Sequence, residues 1–232
     1  MSEQSAASHE VGKTGLALEL TPHYFRAGRR GAHVAQPGVT LELIADEDRF
    51  NIEARRGKAA ELIAAIGRAF GAAPVDDART VEAGGFSFVG IGPSRWHAIS
   101  RGPDRAARRD ALRAAMRELA TIVDVSHGFV AFRLSGPKAV EALTKLVRID
   151  LDPASFPPGA SAGTELHGMT VQLRRTTDGE AYECAVSRSF AGSLYHALTH
   201  AADPYGIWVD LAPIPCSRQN PKILGRDDAE VV

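Results

Sequence analysis

An internal repeat constrains the fold of this chain more than any other feature of its sequence. A strand-like segment that runs through a glycine into a helix-like segment occurs as FNIEARRGKAAELIAAI (residues 50–66) and again as FVAFRLSGPKAVEAL (residues 129–143). In both copies the first phenylalanine precedes the glycine, Gly57 or Gly136, by seven residues. Repetition of this kind indicates one structural unit used twice.

Each half of the chain reads as strand, turn, strand, glycine, helix, loop, strand pair and helix. Alternating or short apolar runs predict strands at residues 39–46, 49–55, 86–92, 96–100, 121–126, 129–135, 164–176 and 181–187. Helical spacing predicts helices after Gly57, over residues 104–119, after Gly136 and over residues 190–202. Helices packed on mostly antiparallel strands give an α+β fold of two pseudo-repeated halves.

The predicted boundaries divide the chain into three parts. Residues 1–37 lack sustained periodicity and are expected to form an irregular N-terminal arm. The α+β domain covers residues 38–208, with halves of about 38–119 and 120–208, and residues 209–232 are expected to form an extended C-terminal tail.

Composition excludes several classes of protein. The formal net charge is -1, which gives no reason to expect a nucleic-acid or membrane-surface binder. No stretch reaches the roughly 20 apolar residues that span a bilayer. The first residues, MSEQSAASHE, lack the pattern of a secretory signal, and the two cysteines are too few for a disulfide framework. We therefore expect a cytoplasmic protein.

Three motifs suggest ligand chemistry, and the pattern around each favours a plainer interpretation. Residues 135–138, SGPK, have the look of a phosphate-binding turn, yet they lack the glycines and the Lys-Ser or Lys-Thr pair of a Walker loop. Residues 90–95, GIGPSR, lack the third glycine and the following helix of a dinucleotide fingerprint. His196 and His200 have zinc-ligand spacing without a third ligand or the glutamate of H-E-x-x-H. The residues predict no catalytic, cofactor or metal site.

Two features suggest contact with a partner protein. Arg105, Arg109 and Arg113 recur at four-residue steps along a predicted helix and would form a basic stripe. Such a stripe suits an acidic partner surface, although a solvated helix face gives the same pattern. Trp96 is a second candidate for the interface because tryptophan is enriched there, but it also suits a core position.

An ordered set of motifs resembles one known family. VGIGPSRW, DVSHGFVAFRLSGPKAVEAL, IDLDPASFPPGA and SRSFAGSLYHALTHAADPYG follow each other as in the gamma subunit of heterotetrameric sarcosine oxidase. The resemblance covers roughly residues 38–208. That family is in turn similar in fold to the folate-binding glycine-cleavage T-protein, whose GPKA and YTGEDGFE segments resemble LSGPKA and TTDGEAYEC here.

The resemblance implies a subunit of a larger enzyme. The complex has alpha, beta, gamma and delta chains and oxidises the N-methyl group of sarcosine, with tetrahydrofolate as the one-carbon acceptor and oxygen as the oxidant. NAD, FAD and covalently held FMN are expected in the two large chains and zinc in the smallest, with none in this chain. The gamma chain would be an accessory subunit with a structural role in assembly. Related complexes act on other N-methyl amino acids, which leaves a related dehydrogenase as an alternative.

The resemblance also raises one candidate ligand-binding residue. Glu183 matches the glutamate of GFE, which holds the pterin ring in folate-using relatives, and the resemblance makes it a candidate for a vestigial folate contact without predicting a cofactor site. The two-glycine turn of YTGEDG is not preserved in the segment 176–180, and no counterpart of the catalytic aspartate is found. A self-sufficient folate-binding or aminomethyltransferase-like enzyme is the second hypothesis, and an unrelated interaction module is the third.

Overall fold

The computed structural model describes residues 25–44 and 47–211. Within them the first half contains β1 (Gly28–Arg30), β2 (Val39–Ile44), β3 (Glu47–Ala54), α1 (Ala59–Phe70), β4 (Thr80–Ala83), β5 (Phe86–Gly92), β6 (Arg95–Arg101) and α2 (Arg105–Met116). The second half contains β7 (Ala120–Asp124), β8 (Phe129–Ser135), α3 (Ala139–Leu143), β9 (Ser161–Leu166), β10 (Met169–Arg175), β11 (Ala181–Ser187), α4 (Ala191–Ala202) and β12 (Ile207–Asp210). None of these helices is long and apolar enough to cross a membrane.

The strands form two sheets of equivalent topology. The five-stranded sheet has the order β4-β5-β6-β3-β7, and the seven-stranded sheet contains the corresponding order β9-β10-β11-β8-β2, extended past β2 by β12 and β1. Strand β2 of the first half therefore lies in the sheet of the second half, and strand β7 of the second half lies in the sheet of the first half. Only the β12–β2 pair is parallel among the pairs between these strands. The predicted α+β fold with pseudo-repeated halves is confirmed, whereas the predicted boundaries stay a prediction.

The sheets lie back to back with helices on the outside. Alternate side chains of β3, such as Phe50 and Ile52, pack against Leu62 of α1 and Leu112 of α2. The corresponding face of the seven-stranded sheet packs with Leu143, Leu194 and Leu198 of α3 and α4 in a second core cluster. Contacts between the opposite faces, described below, join the two sheets. The result is a helix–sheet–sheet–helix arrangement with a layer of side chains between the sheets.

The SGPK turn has a steric function at the corner between β8 and α3. Gly136 has a φ of 104°, and a Cβ added there would lie 2.7 Å from the Gly38 carbonyl oxygen. The same oxygen accepts a hydrogen bond of 2.9 Å from the Lys138 N–H. Glycine is needed because only it fits both this backbone conformation and this approach. Helix α3 begins at Ala139, so Pro137 lies in the turn that precedes the helix.

Several strands differ from the prediction. The segment 164–176, expected to be one strand, is the β9–β10 hairpin, which turns at His167 and Gly168 where both φ angles are positive. Strand β4 lies in a predicted loop, β1 lies in the predicted arm, and β12 extends into the predicted tail. These strands are three or four residues long, or are divided by a turn without Asn-Gly or Asp-Gly, so periodicity gives little signal for them. Residues 1–24, 45–46 and 212–232 of the predicted elements lie outside the described residues.

Candidate functional site

Glu183 lies in the layer between the sheets, where two arginines surround it. It belongs to β11 and is 3% exposed. Arg101, from the other sheet, donates from Nη1 to Oε1 at 3.0 Å and from Nη2 to Oε2 at 2.8 Å. Arg174 of β10 donates from Nε and Nη2 to Oε2 at 2.9 and 2.6 Å. These charge-assisted bonds bind the glutamate to both sheets.

The ion network continues to Glu47 at the start of β3. Arg49 Nη2 donates to Glu47 Oε1 at 2.6 Å, and Arg101 Nη2 donates to Glu47 Oε2 at 2.8 Å. Arg49 Nη1 also lies 3.3 Å from Nδ1 of the buried His97. A guanidinium has no acceptor, so Nδ1 accepts this bond and the proton of neutral His97 is on Nε2. Arg49 also stacks over the Phe129 ring of β8, with 5.1 Å from Cζ to the ring centroid.

The pKa values of Glu47, Glu183 and His97 in this layer are moved away from neutrality. Burial alone would raise the pKa of the Glu47 carboxyl, but the Arg49 and Arg101 guanidinium groups outweigh it and lower the pKa to about 2. Burial opposes ionisation of Glu183 as well, yet Arg101 and Arg174 hold its pKa well below the usual range. Burial and the neighbouring Arg49 lower the pKa of His97 to about 3. The glutamates are therefore ionised and the histidine is neutral at physiological pH.

This geometry does not fit the folate contact suggested for Glu183. Both carboxylate oxygens already accept hydrogen bonds from guanidinium groups, and the residue is closed off from solvent. A pterin would have to displace a buried arginine, which would leave a charge without its partner. The adjacent Cys184 is also buried, and burial raises the pKa of its thiol to about 12. The described residues include no group of three or more His, Cys, Asp and Glu side chains that could hold a metal ion.

The predicted interface residues are placed in different environments. Trp96 is a core residue with 0% exposure, and its Nε1–H donates to the Val75 carbonyl oxygen at 2.9 Å. It cannot anchor a partner at the surface of this fold, because its large apolar ring is buried in the core between β6 and the helices. Arg105, Arg109 and Arg113 all lie on α2, with Arg113 the exposed member. An interface role for this arginine stripe stays a prediction.

An open cleft of about 1890 Å³ lies between α4, β1 and the ends of β2 and β8. Its volume exceeds the roughly 300–1,000 Å³ of typical small-molecule pockets. Its lining has more basic than acidic side chains: Arg26, Arg29, Arg30, Arg105, Lys145 and Arg188 against Glu47, Asp48 and Asp203. Arg105 joins this cleft to the arginine stripe, and it also pairs with Asp48 at 3.4 Å.

Sequence reasoning found Glu183 but missed the residues that determine its chemistry. Glu47, Arg49, His97 and Arg174 come from three strands of two different sheets. A partial signal existed in the strand patterns, because Arg49 lies directly before the apolar alternation of β3 and Arg174 lies within that of β10. Charged residues at such positions are paired when they are buried.

Comparison with known proteins identifies the family. The family model "Sarcosine oxidase, gamma subunit family" matches residues 56–203, well over half of the chain. The solved heterotetrameric sarcosine oxidase from Corynebacterium sp. U-96, in complex with pyrrole 2-carboxylate, is similar at 26% identity with a TM-score of 0.64. The match covers 76% of this chain and 88% of that chain.

A second solved structure shares the fold alone. Glycine cleavage system aminomethyltransferase T from Bartonella henselae is 12% identical with a TM-score of 0.56, and the match covers 84% of this chain and 58% of that chain. A comparison with curated proteins gave no match. The resemblance inferred from the ordered motifs is confirmed, and the chain belongs to the sarcosine oxidase gamma subunit family.

Proposed function

We propose that this chain is an accessory subunit of a sarcosine-oxidase-type complex and stabilises the assembly without contributing catalytic residues. The observation that carries the proposal is the similarity to a heterotetrameric sarcosine oxidase over 88% of the matched chain. The chemistry of the layer between the sheets supports it, because the carboxylate of Glu183 is bound by Arg101 and Arg174 and is buried. A group in this state neither binds substrate nor exchanges protons at neutral pH.

The finer parts of the proposal concern partners and cofactors. The partners would be the alpha, beta and delta chains, and the complex would be cytoplasmic. FAD, FMN, NAD and zinc would be held by those chains. The reaction would be oxidative N-demethylation of sarcosine to glycine, with tetrahydrofolate as the one-carbon acceptor and cosubstrate.

Charge favours the α2 side of the molecule as a surface for binding another subunit. Helix α2 carries four arginines and one aspartate, and the exposed Arg113 lies at its C-terminal end. The basic cleft continues this surface through Arg105. Complementary charge increases the association rate and the specificity of such contacts. We therefore propose that an acidic surface of another subunit contacts α2.

Co-expression of the complex with and without this chain tests the proposal. With the chain present, we expect a complete assembly by size-exclusion chromatography and sarcosine-dependent oxygen consumption. Without it, both the assembled fraction and the activity per flavin should fall. Equal assembly and equal turnover of the remaining chains without this subunit would refute the structural role.

A further inference from the structure

One edge of the five-stranded sheet is open at the position that the seven-stranded sheet fills. In the equivalent strand orders, β7 takes the place of β2. The outer side of β2 is covered by β12, which runs parallel to it from Ile207 opposite Val39 to Asp210 opposite Glu42. Among residues 25–44 and 47–211, no strand pairs with the outer side of β7. The pseudo-symmetry of the fold therefore defines a strand position that the described part of the chain leaves open.

The hydrogen bonds at both ends of β7 show which backbone groups face this position. The Arg55 N–H donates to the Leu119 carbonyl oxygen at 2.8 Å, and the Val125 N–H donates to the Arg49 carbonyl oxygen at 2.9 Å. Bonded and non-bonded pairs alternate along an antiparallel ladder, so the odd-numbered residues of β7 bond to β3. The N–H and C=O groups of the even-numbered residues, with Ile122 at the centre, point away from β3.

This edge has little of the usual protection of an exposed strand. Its sequence is ATIVD, with no lysine, no proline and no break in the register with β3, and its one charged residue, Asp124, lies at the last position of the strand. The Val123 side chain is 48% exposed, and Thr121 is exposed beside it. Natural proteins usually prevent pairing at an open edge with lysine, proline or a β-bulge. A β-branched edge without these features is suited to pairing with another chain.

We propose that an extended segment of another subunit pairs with β7 as a parallel strand, completing the five-stranded sheet as β12 extends the other. This inference rests on the proposed function. The orientation follows from the parallel β12–β2 pair, whose alternate residues Ile207 and Val209 are buried. The segment should accordingly have apolar side chains at alternate positions. It should also carry acidic residues, because the neighbouring α2 has four arginines and one aspartate.

Two substitutions in the co-expressed complex test this pairing. Val123→Lys places a charge on the exposed edge without altering the bonds to β3, and Ile122→Pro removes an outward N–H. We expect each to weaken association with the remaining chains about tenfold or more, since several backbone bonds and the apolar contact are lost together. Val140→Lys is the matched control, because Val140 is 37% exposed on α3. This control should bind as the wild type does.

Hydrogen exchange gives a second measurement that does not depend on folding of the variants. In the isolated chain, the amides of Ile122 and Asp124 should exchange fast and those of Thr121 and Val123 slowly. In the complex, the Ile122 and Asp124 amides should slow by about tenfold or more. If the wild-type complex assembles while these two amides stay fast, or while Val123→Lys binds like Val140→Lys, the pairing is refuted. If the wild-type chain does not assemble with the oxidase chains, the proposed function itself fails.

Discussion

Replacing Glu183 by glutamine tests whether the ion network between the sheets has a structural role. The substitution keeps the size of the side chain and removes the carboxylate that pairs with both Arg101 and Arg174, which leaves Arg101 with Glu47 at 2.8 Å and Arg174 with Glu82 at 4.0 Å. The Arg174 side chain is 7% exposed and that of Arg101 is 32% exposed, so water replaces little of the lost interaction. Breaking a buried ion pair from one side typically costs about 3–5 kcal/mol.

That loss is large against the whole stability of a domain. Typical free energies of unfolding are about 5–15 kcal/mol. In a chain of this length each kcal/mol changes the melting temperature by about 2–4 °C, so Glu183→Gln should lower it by about 6–20 °C. Urea unfolding followed by fluorescence of the buried Trp96 measures the free energy directly.

The matched control is the same substitution in an exposed pair. Glu61 accepts a 2.7 Å bond from Lys58 on the surface of α1, so Glu61→Gln should change stability by less than about 1 kcal/mol. If the two variants lose equal stability, the structural role of Glu183 is refuted. Titration with tetrahydrofolate completes the test. Saturable binding by the wild-type chain that Glu183→Gln removes without loss of stability would favour the self-sufficient folate-binding enzyme.

Two further predictions follow from the fold and from the buried layer. Gly136→Ala should destabilise the chain by about 1–3 kcal/mol more than Gly57→Ala, because both positions have positive φ but only the first Cβ would meet a backbone oxygen, that of Gly38 at 2.7 Å. Equal melting temperatures for the two variants would contradict the steric argument. Acid should destabilise the protein in two stages, because His97 and Glu47 bind protons more weakly when folded: their pKa values fall from 6.5 to about 3 and from 4.5 to about 2. Stability should therefore decrease as the pH falls below 6.5, and more steeply below 4.5, by up to about 1.4 kcal/mol per pH unit for each group. A urea midpoint that is constant between pH 7 and pH 4 would refute this.

The sequence was sufficient to predict most of the fold because its strongest signals are local. The alternation of β8 and the helical spacing of α1 follow from side chains a few residues apart, and Gly71, a residue type that commonly ends helices, follows α1 with a φ of 93°. The exchange of β2 and β7 between sheets was not predictable in this way. It depends on pairing between strands from different halves, and both strands look equally suitable for either sheet.

The candidate site was predictable only in part, for a related reason. A motif comparison found Glu183 because it lies in a continuous segment, but its partners Arg101 and Arg174 are distant or unremarkable in the sequence. Trp96 shows a different limit of the sequence, which left a core position and an interface position open. Tryptophan is frequent in interfaces and in cores alike, and only the packing of β6 against the helices places this one in a core.

The direction of the pKa shifts separates a structural interior from a catalytic one. An acid–base catalyst needs a pKa near the working pH, so active sites shift carboxyl groups up and thiols down. Here burial raises the pKa of the Cys184 thiol from 9.0 to about 12, and burial lowers the pKa of His97 from 6.5 to about 3. The pKa of Glu183 also lies below its usual range, because two guanidinium groups bind the carboxylate. Each of these shifts removes reactivity at neutral pH, and the guanidinium bonds of Glu183 also join the two sheets. An interior of this kind suits a rigid subunit that acts by binding other subunits at its surface. Helix α2 and the edge strand β7, which follow each other in the sequence, belong to that surface.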